Sequence, residues 1–74
     1  MQVQVRLYAT FRNGRFNEQV RDYPAGTCIG KVLEELAIDE SQVGTLFLDH
    51  KYAARDHTLH EGAKLGIFPL VGGG

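Results

Sequence analysis

Apolar and polar residues alternate near the start of the chain, which is the pattern of a β-strand with one buried face. The apolar positions are Val3, Val5, Leu7, Ala9 and Phe11. Asn13-Gly14 follows, and this pair favours a type I′ turn because both residues tolerate the positive φ that the turn requires. The pattern therefore predicts a hairpin that returns over residues 16–23, in which only Phe16 and Val20 are apolar on one side.

The next segment has the spacing of an amphipathic helix. Pro24, Ala25 and Gly26 interrupt the strand pattern, and Thr27 is predicted to cap the helix through its hydroxyl. The apolar stripe at three- and four-residue steps consists of Ile29, Val32, Leu33 and Leu36. The residues predicted to face water are Lys31, Glu34 and Glu35. A stripe of this width covers one face of a sheet.

The second half of the chain predicts further strands. Residues 38–44 are polar and turn-like, and residues 45–49 form a strand with Leu46 and Leu48 on the side opposite to Phe47. A short edge strand is expected at residues 52–55 and a loop at residues 57–64. Residues 65–71 form the last strand, with Leu65 and Ile67 facing inward.

This order of elements predicts an α+β fold of the ubiquitin-like β-grasp type, with one helix on one face of a mixed four- or five-stranded sheet. A chain of 74 residues buries only about 60% of its unfolded surface. That size supports a single core and excludes an enzyme with a deep pocket of its own. We expect a β-grasp domain over residues 1–71 and a flexible C-terminal glycine tail over residues 72–74.

Composition excludes several classes of function. Nine acidic and eight basic residues leave a net charge of −1, which argues against nucleic-acid binding. A single cysteine excludes a disulfide framework and fits a reducing compartment. No apolar run approaches the roughly 20 residues of a membrane span, and the first residues have the pattern of a strand and not of a signal peptide. We expect a soluble, cytoplasmic protein that binds neither nucleic acid nor membrane.

The final three residues are glycines, and packing does not explain them because they bury no side chain. Gly72, Gly73 and Gly74 would lose entropy if ordered, and residues 69–74 reach about 20 Å when extended. Such a tail could thread a narrow tunnel and present an unhindered carboxylate to the active site of another protein. The alternative is a frayed end or a cloning remnant.

The closing strand, Pro69 and the terminal diglycine resemble the ThiS/MoaD family of sulfur carriers, most closely the small subunit of molybdopterin synthase. The resemblance covers most of the chain, at residues 3–12, 24–27, 33–36, 59–62, 67–69 and 73–74. The chain departs from the family at Leu48-Asp49-His50, where valine-asparagine-glycine is common, and at Leu70, which replaces a second proline. Residues 71–74 also resemble thiamine-pathway carriers, whereas the long hairpin favours the molybdopterin branch.

The resemblance implies a carrier and not an enzyme, with no cofactor bound to the chain itself. A ubiquitin-activating-type adenylyltransferase of the MoeB/ThiF kind would use ATP to adenylate the Gly74 carboxylate. A sulfur donor would convert the adenylate into a thiocarboxylate, and an enzyme such as the large subunit of molybdopterin synthase would accept the sulfur. A thiamine-pathway carrier, a ubiquitin-like protein modifier and a plain interaction module remain as alternatives.

Three aromatic residues fall on the strand parity opposite to the core. Tyr8, Phe47 and Phe68 should therefore lie on the helix-free face of the sheet, and a contiguous apolar patch there would mark a partner surface. The β-grasp topology pairs the first and last strands, so Tyr8 should lie near Phe68. With Pro69 and Leu70 at the root of the tail, these five residues are the predicted partner-binding set.

Two other groups of residues carry weaker signals. The cluster of His50, His57 and His60 with Asp49 and Asp56 fits no strong zinc motif, so we predict a solvated polar loop and no metal site. Cys28 falls in the first turn of the predicted helix, where a thiol can become reactive. A structural, semi-buried cysteine is the favoured interpretation, because the sequence places no histidine beside it.

Overall fold

The computed structural model describes residues 1–70, and the predicted glycine tail lies outside them. The elements are β1 (Gln2–Leu7), β2 (Glu18–Asp22), α1 (Ile29–Glu35), β3 (Val43–Leu48), β4 (Lys51–Tyr52) and β5 (Ala63–Pro69). Within the described residues the five strands form one sheet in the order β2-β1-β5-β3-β4. Strands β1 and β5 are parallel, and the other pairs are antiparallel. This topology confirms the predicted β-grasp fold.

The core lies between α1 and one face of the sheet. Every second residue of β1 is fully buried, and Leu46, Leu48 and Leu65 face the same way from β3 and β5. The predicted helical stripe is confirmed, since three of its residues are buried and Leu36 is partly buried. Leu59, in the loop before β5, also joins this core.

Strand β1 ends earlier than the alternation predicts. Ala9 has a φ of 50°, and Ala9–Arg12 is a 3₁₀ turn in which the Phe11 N–H donates to the Tyr8 carbonyl. The Arg12 Nε donates to the Leu7 carbonyl at 2.9 Å. Phe11 is buried as predicted. It reaches the core from the 3₁₀ turn and not from a strand.

The prediction of a type I′ turn at Asn13-Gly14 is wrong. Asn13 has a φ of −64° and a ψ of 120°, whereas Gly14 has a φ of 71°. With the Arg15 N–H donating to the Arg12 carbonyl at 3.0 Å, these angles define a type II turn. The 3₁₀ turn has already changed the direction of the chain, so the two strands are not joined by a tight two-residue loop.

The second strand is not apolar on its inner side. Val20 is 60% exposed, because its register partner Gln4 lies on the helix-free face; Phe16 is partly buried. Arg21 instead connects β2 to the helix, with its guanidinium 2.8 Å from the Glu35 carboxylate. The Tyr23 hydroxyl donates to the same carboxylate, and burial together with this hydrogen bond raises the pKa of Tyr23 to about 12.

The helix begins without the predicted side-chain cap. Cys28 is the N-cap residue, and the Thr27 hydroxyl donates to the Pro24 carbonyl at 2.7 Å. The first free N–H groups of α1, those of Ile29 and Gly30, donate to backbone carbonyls of residues 57 and 55 at 3.0 and 2.7 Å. A loop distant in sequence therefore satisfies the helix terminus that Thr27 was predicted to cap.

The other end of the helix is held by the side chain of Arg15. Its guanidinium donates to the carbonyls of Leu36, Ala37 and Phe11 at 3.0, 3.2 and 3.2 Å. The positive charge also lies at the negative end of the helix dipole. Arg15 thus joins the turn after β1 to the C-terminus of α1.

Arg15→Ala should lower the free energy of unfolding by about 1 to 2 kcal/mol, because carbonyls at the helix end lose a charged donor. Arg15→Lys should lower it by less, since the charge remains but the planar fork is lost. Lys31→Ala is the control, because Lys31 makes only an exposed pair with Glu34 at 3.6 Å. Equal stabilities of the Arg15→Ala and Lys31→Ala variants in chemical denaturation would contradict this role.

Candidate functional site

Four aromatic side chains lie together on the helix-free face of the sheet. Leu7 of β1 is in register with Ile67 of β5, and the next residues, Tyr8 and Phe68, stack with ring centroids 3.8 Å apart and planes at 9°. Phe47 meets Phe68 edge-on at 5.4 Å, and Tyr52 lies 4.8 Å from Phe47. The predicted proximity of Tyr8 and Phe68 is confirmed, as is the predicted placement of Phe47 on the same face. We call Tyr8, Phe47, Tyr52 and Phe68 the aromatic face.

Cationic side chains flank the aromatic face. The Cζ atoms of Arg6 and Arg12 lie 5.2 and 5.8 Å from the centroid of the Tyr8 ring. Guanidinium groups at this distance are attracted to the negative face of the ring. Tyr8 therefore packs against Phe68 and lies within reach of both guanidinium groups.

A shallow groove of about 390 Å³ opens on this face. Its floor includes Gly66, where a Cβ atom would lie 3.4 Å from the Tyr8 ring. The charged side chains that line the groove are those of Arg6, Lys64 and Glu18, so positive charge exceeds negative charge there. A chain with a net charge of −1 therefore has a locally basic, aromatic groove, and this groove lies outside the core.

The predicted partner-binding residues converge on the end of β5. Phe68 and Pro69 are partly buried, and Leu70 is 57% exposed. The Leu70 N–H donates to the Gln42 carbonyl at 2.8 Å, so the backbone stays attached to the domain beyond the strand. The aromatic face and the root of the predicted tail are thus adjacent. Gly72, Gly73 and Gly74 lie outside the described residues.

A hydrogen-bonded pair holds the turn between β3 and β4. Asp49 and His50 have φ values of 51° and 69°, which are typical of a type I′ turn. The Asp49 carboxylate accepts the Lys64 N–H at 2.9 Å and faces His60 Nε2 at 2.6 Å. His60 Nδ1 lies 3.0 Å from the Glu61 carbonyl. Both ring nitrogens face acceptors, so the imidazolium form satisfies both contacts.

The pKa values follow from these contacts. The Lys64 N–H, followed by His60, lowers the pKa of Asp49 below 3.8. The Glu61 carbonyl, followed by Asp49, raises the pKa of His60 above 6.5. The pair lies at the surface, beside the groove that His50 lines.

Neither the cluster of histidines and aspartates nor Cys28 forms a candidate site within residues 1–70. In that range no three His, Cys, Asp or Glu side chains lie close enough to hold a metal ion together. Cys28 is a half-buried free thiol at the helix N-cap. A search of the same residues found no helix with the length and apolar character to cross a membrane.

Sequence reasoning missed several residues of this surface. Tyr52 was placed in an edge strand without a role, although it is 82% exposed and packs on Phe47. Gly66 carried a usable signal, since an isolated glycine inside a strand suggests a close approach. Arg12 had no such signal, because its position over Tyr8 depends on the 3₁₀ turn, whereas Arg6 shares the strand parity of Tyr8 and could have been placed beside it.

A sheet of this topology, with a helix on one face and an aromatic face at the root of the C-terminus, defines a small ubiquitin-like β-grasp protein. The ThiS family profile matches residues 5–74, which is nearly the whole chain, and the chain belongs to the ThiS family. Proteins of this family are carriers rather than enzymes, and they work with adenylyltransferases and sulfur-accepting partners.

Solved structures agree with this assignment. A Pyrococcus furiosus protein, provisionally assigned as molybdopterin converting factor subunit 1, superposes with a TM-score of 0.77 at 25% identity, over 96% of this chain and 99% of that chain. Small archaeal modifier protein 1 of Haloferax volcanii superposes with a TM-score of 0.76, over 95% of this chain and 98% of that chain. Its 16% identity makes that a likeness of fold alone. No curated protein sequence gives a significant match.

The Asp49–His60 pair predicts a pH dependence. A raised pKa means that the folded state binds the His60 proton more tightly, so this contribution to stability is full below pH 6.5 and is lost as the pH rises through the raised pKa. The Asp49 contribution is full above pH 3.8 and is lost as the pH falls through the lowered pKa. The pair is therefore fully effective only between these limits.

Asp49→Asn is the matched variant, because asparagine tolerates the same positive φ and still accepts the Lys64 N–H. The pKa of His60 should fall in this variant, and NMR titration of the imidazole resonances measures it. The Glu61 contact remains, so some of the upward shift should persist. An identical His60 titration in both proteins would contradict the pairing.

Proposed function

We propose that this chain is a sulfur carrier that delivers sulfur in molybdopterin biosynthesis through a thiocarboxylate on Gly74. The observation that carries the proposal is the aromatic face at the root of the C-terminus, in a chain whose family match extends to Gly74. The likeness to the Pyrococcus furiosus protein favours the molybdopterin pathway. The cytoplasm is the proposed location, because the activation consumes ATP.

The proposed chemistry has two activation steps, both performed by partner enzymes. A Gly74 carboxylate oxygen attacks the α-phosphorus of ATP, and pyrophosphate leaves. Sulfur at the sulfide oxidation level then attacks the carbonyl carbon of the acyl-adenylate, and AMP leaves. The resulting thiocarboxylate is a stronger nucleophile than the carboxylate. Its sulfur attacks a carbon of a pterin precursor bound by the accepting enzyme and displaces an oxygen group, and water then cleaves the thioester, which leaves the sulfur on the pterin and releases the Gly74 carboxylate.

This chain is proposed to supply the surface that partners recognise and a C-terminal segment long enough to enter their active sites. The aromatic face is proposed to dock first on the adenylyltransferase and then on the sulfur-accepting enzyme, with Phe68, Pro69 and Leu70 at the edge nearest the active site. Residues 69–74 span about 20 Å at most. Each partner must therefore bring its catalytic groups within that distance of the face.

Reconstitution tests the sulfur-carrier function directly. The chain is incubated with a ubiquitin-activating-type adenylyltransferase from the same organism, ATP and sulfide, and its intact mass is measured. The expected mass increase equals the replacement of one oxygen by sulfur. A variant lacking Gly73 and Gly74 should fold normally and remain unmodified.

The other outcomes identify the alternatives. An unchanged mass, with an enzyme that activates its own established carrier, would contradict sulfur carriage. Isopeptide links between Gly74 and protein lysines, without thiocarboxylate, would identify a modifier. Sulfur transfer to a thiamine precursor and not to a pterin precursor would assign the thiamine pathway.

The docking role of the aromatic face predicts the effect of Phe68→Ala. Burial of this ring against a partner contributes roughly 1.5 to 3 kcal/mol, so affinity for the adenylyltransferase should fall about tenfold or more. Stability should fall by only about 0.5 to 1.5 kcal/mol, from the lost stack with Tyr8. Calorimetric titration and a thermal melt measure the two effects.

Val20→Ala is the matched control, because Val20 is exposed on the same face but lies on the outer strand β2. The affinity of the Val20→Ala variant for the adenylyltransferase should stay near that of the unmodified protein. Unchanged affinity of the Phe68→Ala variant, together with a collapsed melting temperature, would contradict the assignment of this ring to a docking surface.

A further inference from the structure

The pairing of β5 with β3 has an irregular register near the end of β5, just before the tail. Val43 is in register with Pro69, and Thr45 is in register with Phe68. The chain therefore advances by two residues along β3, from Val43 to Thr45, while it moves by only one residue along β5. Gly44 is the extra residue of a β-bulge, placed where the chain leaves the sheet.

The backbone of β5 occupies the space that a side chain at Gly44 would need. A Cβ atom there would lie 2.6 Å from the Pro69 carbonyl oxygen, 3.0 Å from the Pro69 carbonyl carbon and 3.1 Å from Leu70 Cα. All three are backbone atoms and cannot rotate away as a side chain can. A side chain at position 44 therefore requires a backbone shift, either of β3 at this point or of Pro69 and Leu70.

A positive φ or close packing in the core often requires a glycine, and neither applies to Gly44. Among the described residues, the glycines with positive φ are Gly14, Gly26 and Gly62. Gly44 is exposed, so close packing in the core does not require it either. The close approach of Pro69 and Leu70 is what excludes a side chain.

This approach fixes the root of the tail. The Leu70 N–H donates to the Gln42 carbonyl at 2.8 Å, and Gln42 ends the turn that leads into β3. Displacement of Pro69 and Leu70 would lengthen this hydrogen bond and move Leu70 relative to Phe68. The bulge therefore determines where the chain beyond Leu70 begins relative to the aromatic face.

We propose that Gly44 is a positioning residue, which holds Pro69 and Leu70 against β3 so that the chain leaves the sheet beside the aromatic face, where a docked partner can receive the Gly74 carboxylate. This inference rests on the proposed sulfur-carrier function. Misplacement of a reacting group by about 1 Å can slow a reaction by about 100-fold. Gly44 touches no reacting atom and acts only through the backbone of Pro69 and Leu70.

The test compares Gly44→Ala and the larger Gly44→Val with Gly30→Ala in thiocarboxylate formation by the adenylyltransferase, ATP and sulfide. A Cβ at Gly30 would meet the Arg55 side chain at 3.1 Å, and that side chain is exposed and can move. The kcat of Gly44→Ala should fall by about 10- to 100-fold, and that of Gly44→Val further. KM should change little, because the aromatic face remains, and Gly30→Ala should behave as the unmodified protein does.

Hydrogen exchange at Leu70 tests the geometry without any partner. The Leu70 amide should exchange faster in Gly44→Ala than in the unmodified chain or in Gly30→Ala, because its hydrogen bond to Gln42 is weakened. An unmodified chain that gains no sulfur would contradict the proposed function, whereas the Leu70 exchange rate would still show whether Gly44 holds the root of the tail.

Three results would overturn the inference. The first is an unchanged Leu70 exchange rate in Gly44→Ala. The second is faster exchange with an unchanged kcat, since the position of Leu70 would then not matter to the reaction. The third is an equal loss of kcat in Leu36→Ala, a partly buried helix variant far from the tail in sequence, because the loss would then follow from reduced stability.

Discussion

The parallel pairing of β1 with β5 is the interaction on which both faces of this protein depend. On the helix side, the pairing aligns Val3, Val5 and Leu7 with Ala63, Leu65 and Ile67, all of which are almost completely buried. On the other side, the same register brings Tyr8 against Phe68. A shift of one residue would exchange the two faces of the strand. The core and the aromatic face therefore cannot be formed separately.

A chain of this size can cover only one face of its sheet. The helix takes that face, and the aromatic rings on the other are held by contacts with each other and with Arg6 and Arg12. Gly66 leaves a groove beside Tyr8, and Gly44 lets the end of β5 lie close against β3. The surface available to a partner thus consists of a restrained patch and the root of the tail beside it.

The features that could be predicted from the sequence are those set by periodicity. The alternation in β1 and β5, the stripe on α1 and the parity of Phe47 all follow from the geometry of regular elements. The missed features depend on contacts between distant residues. The local sequence predicts a cap at Thr27, because it does not reveal that the carbonyls of residues 55 and 57 lie at the helix N-terminus.

Local turn chemistry was ambiguous for the same reason. Asn13-Gly14 suits several turn types, and the 3₁₀ turn at Ala9–Arg12 decided among them. The left-handed pair Asp49-His50 carries no glycine, and the contacts of Asp49 with Lys64 and His60 come from β5 and the loop before it. The bulge at Gly44 depends on the register between β3 and β5, which no local pattern reveals.

The central claim is that partners recognise the aromatic face together with the root of the tail. The most direct measurement is an NMR titration of ¹³C-labelled side chains with the ubiquitin-activating-type adenylyltransferase. The account predicts that the resonances of Tyr8, Phe47, Phe68 and Leu70 change together, while those of Leu33 and Leu36 on the helix stay as they are. Changes centred on α1, with the aromatic resonances unaffected, would contradict it.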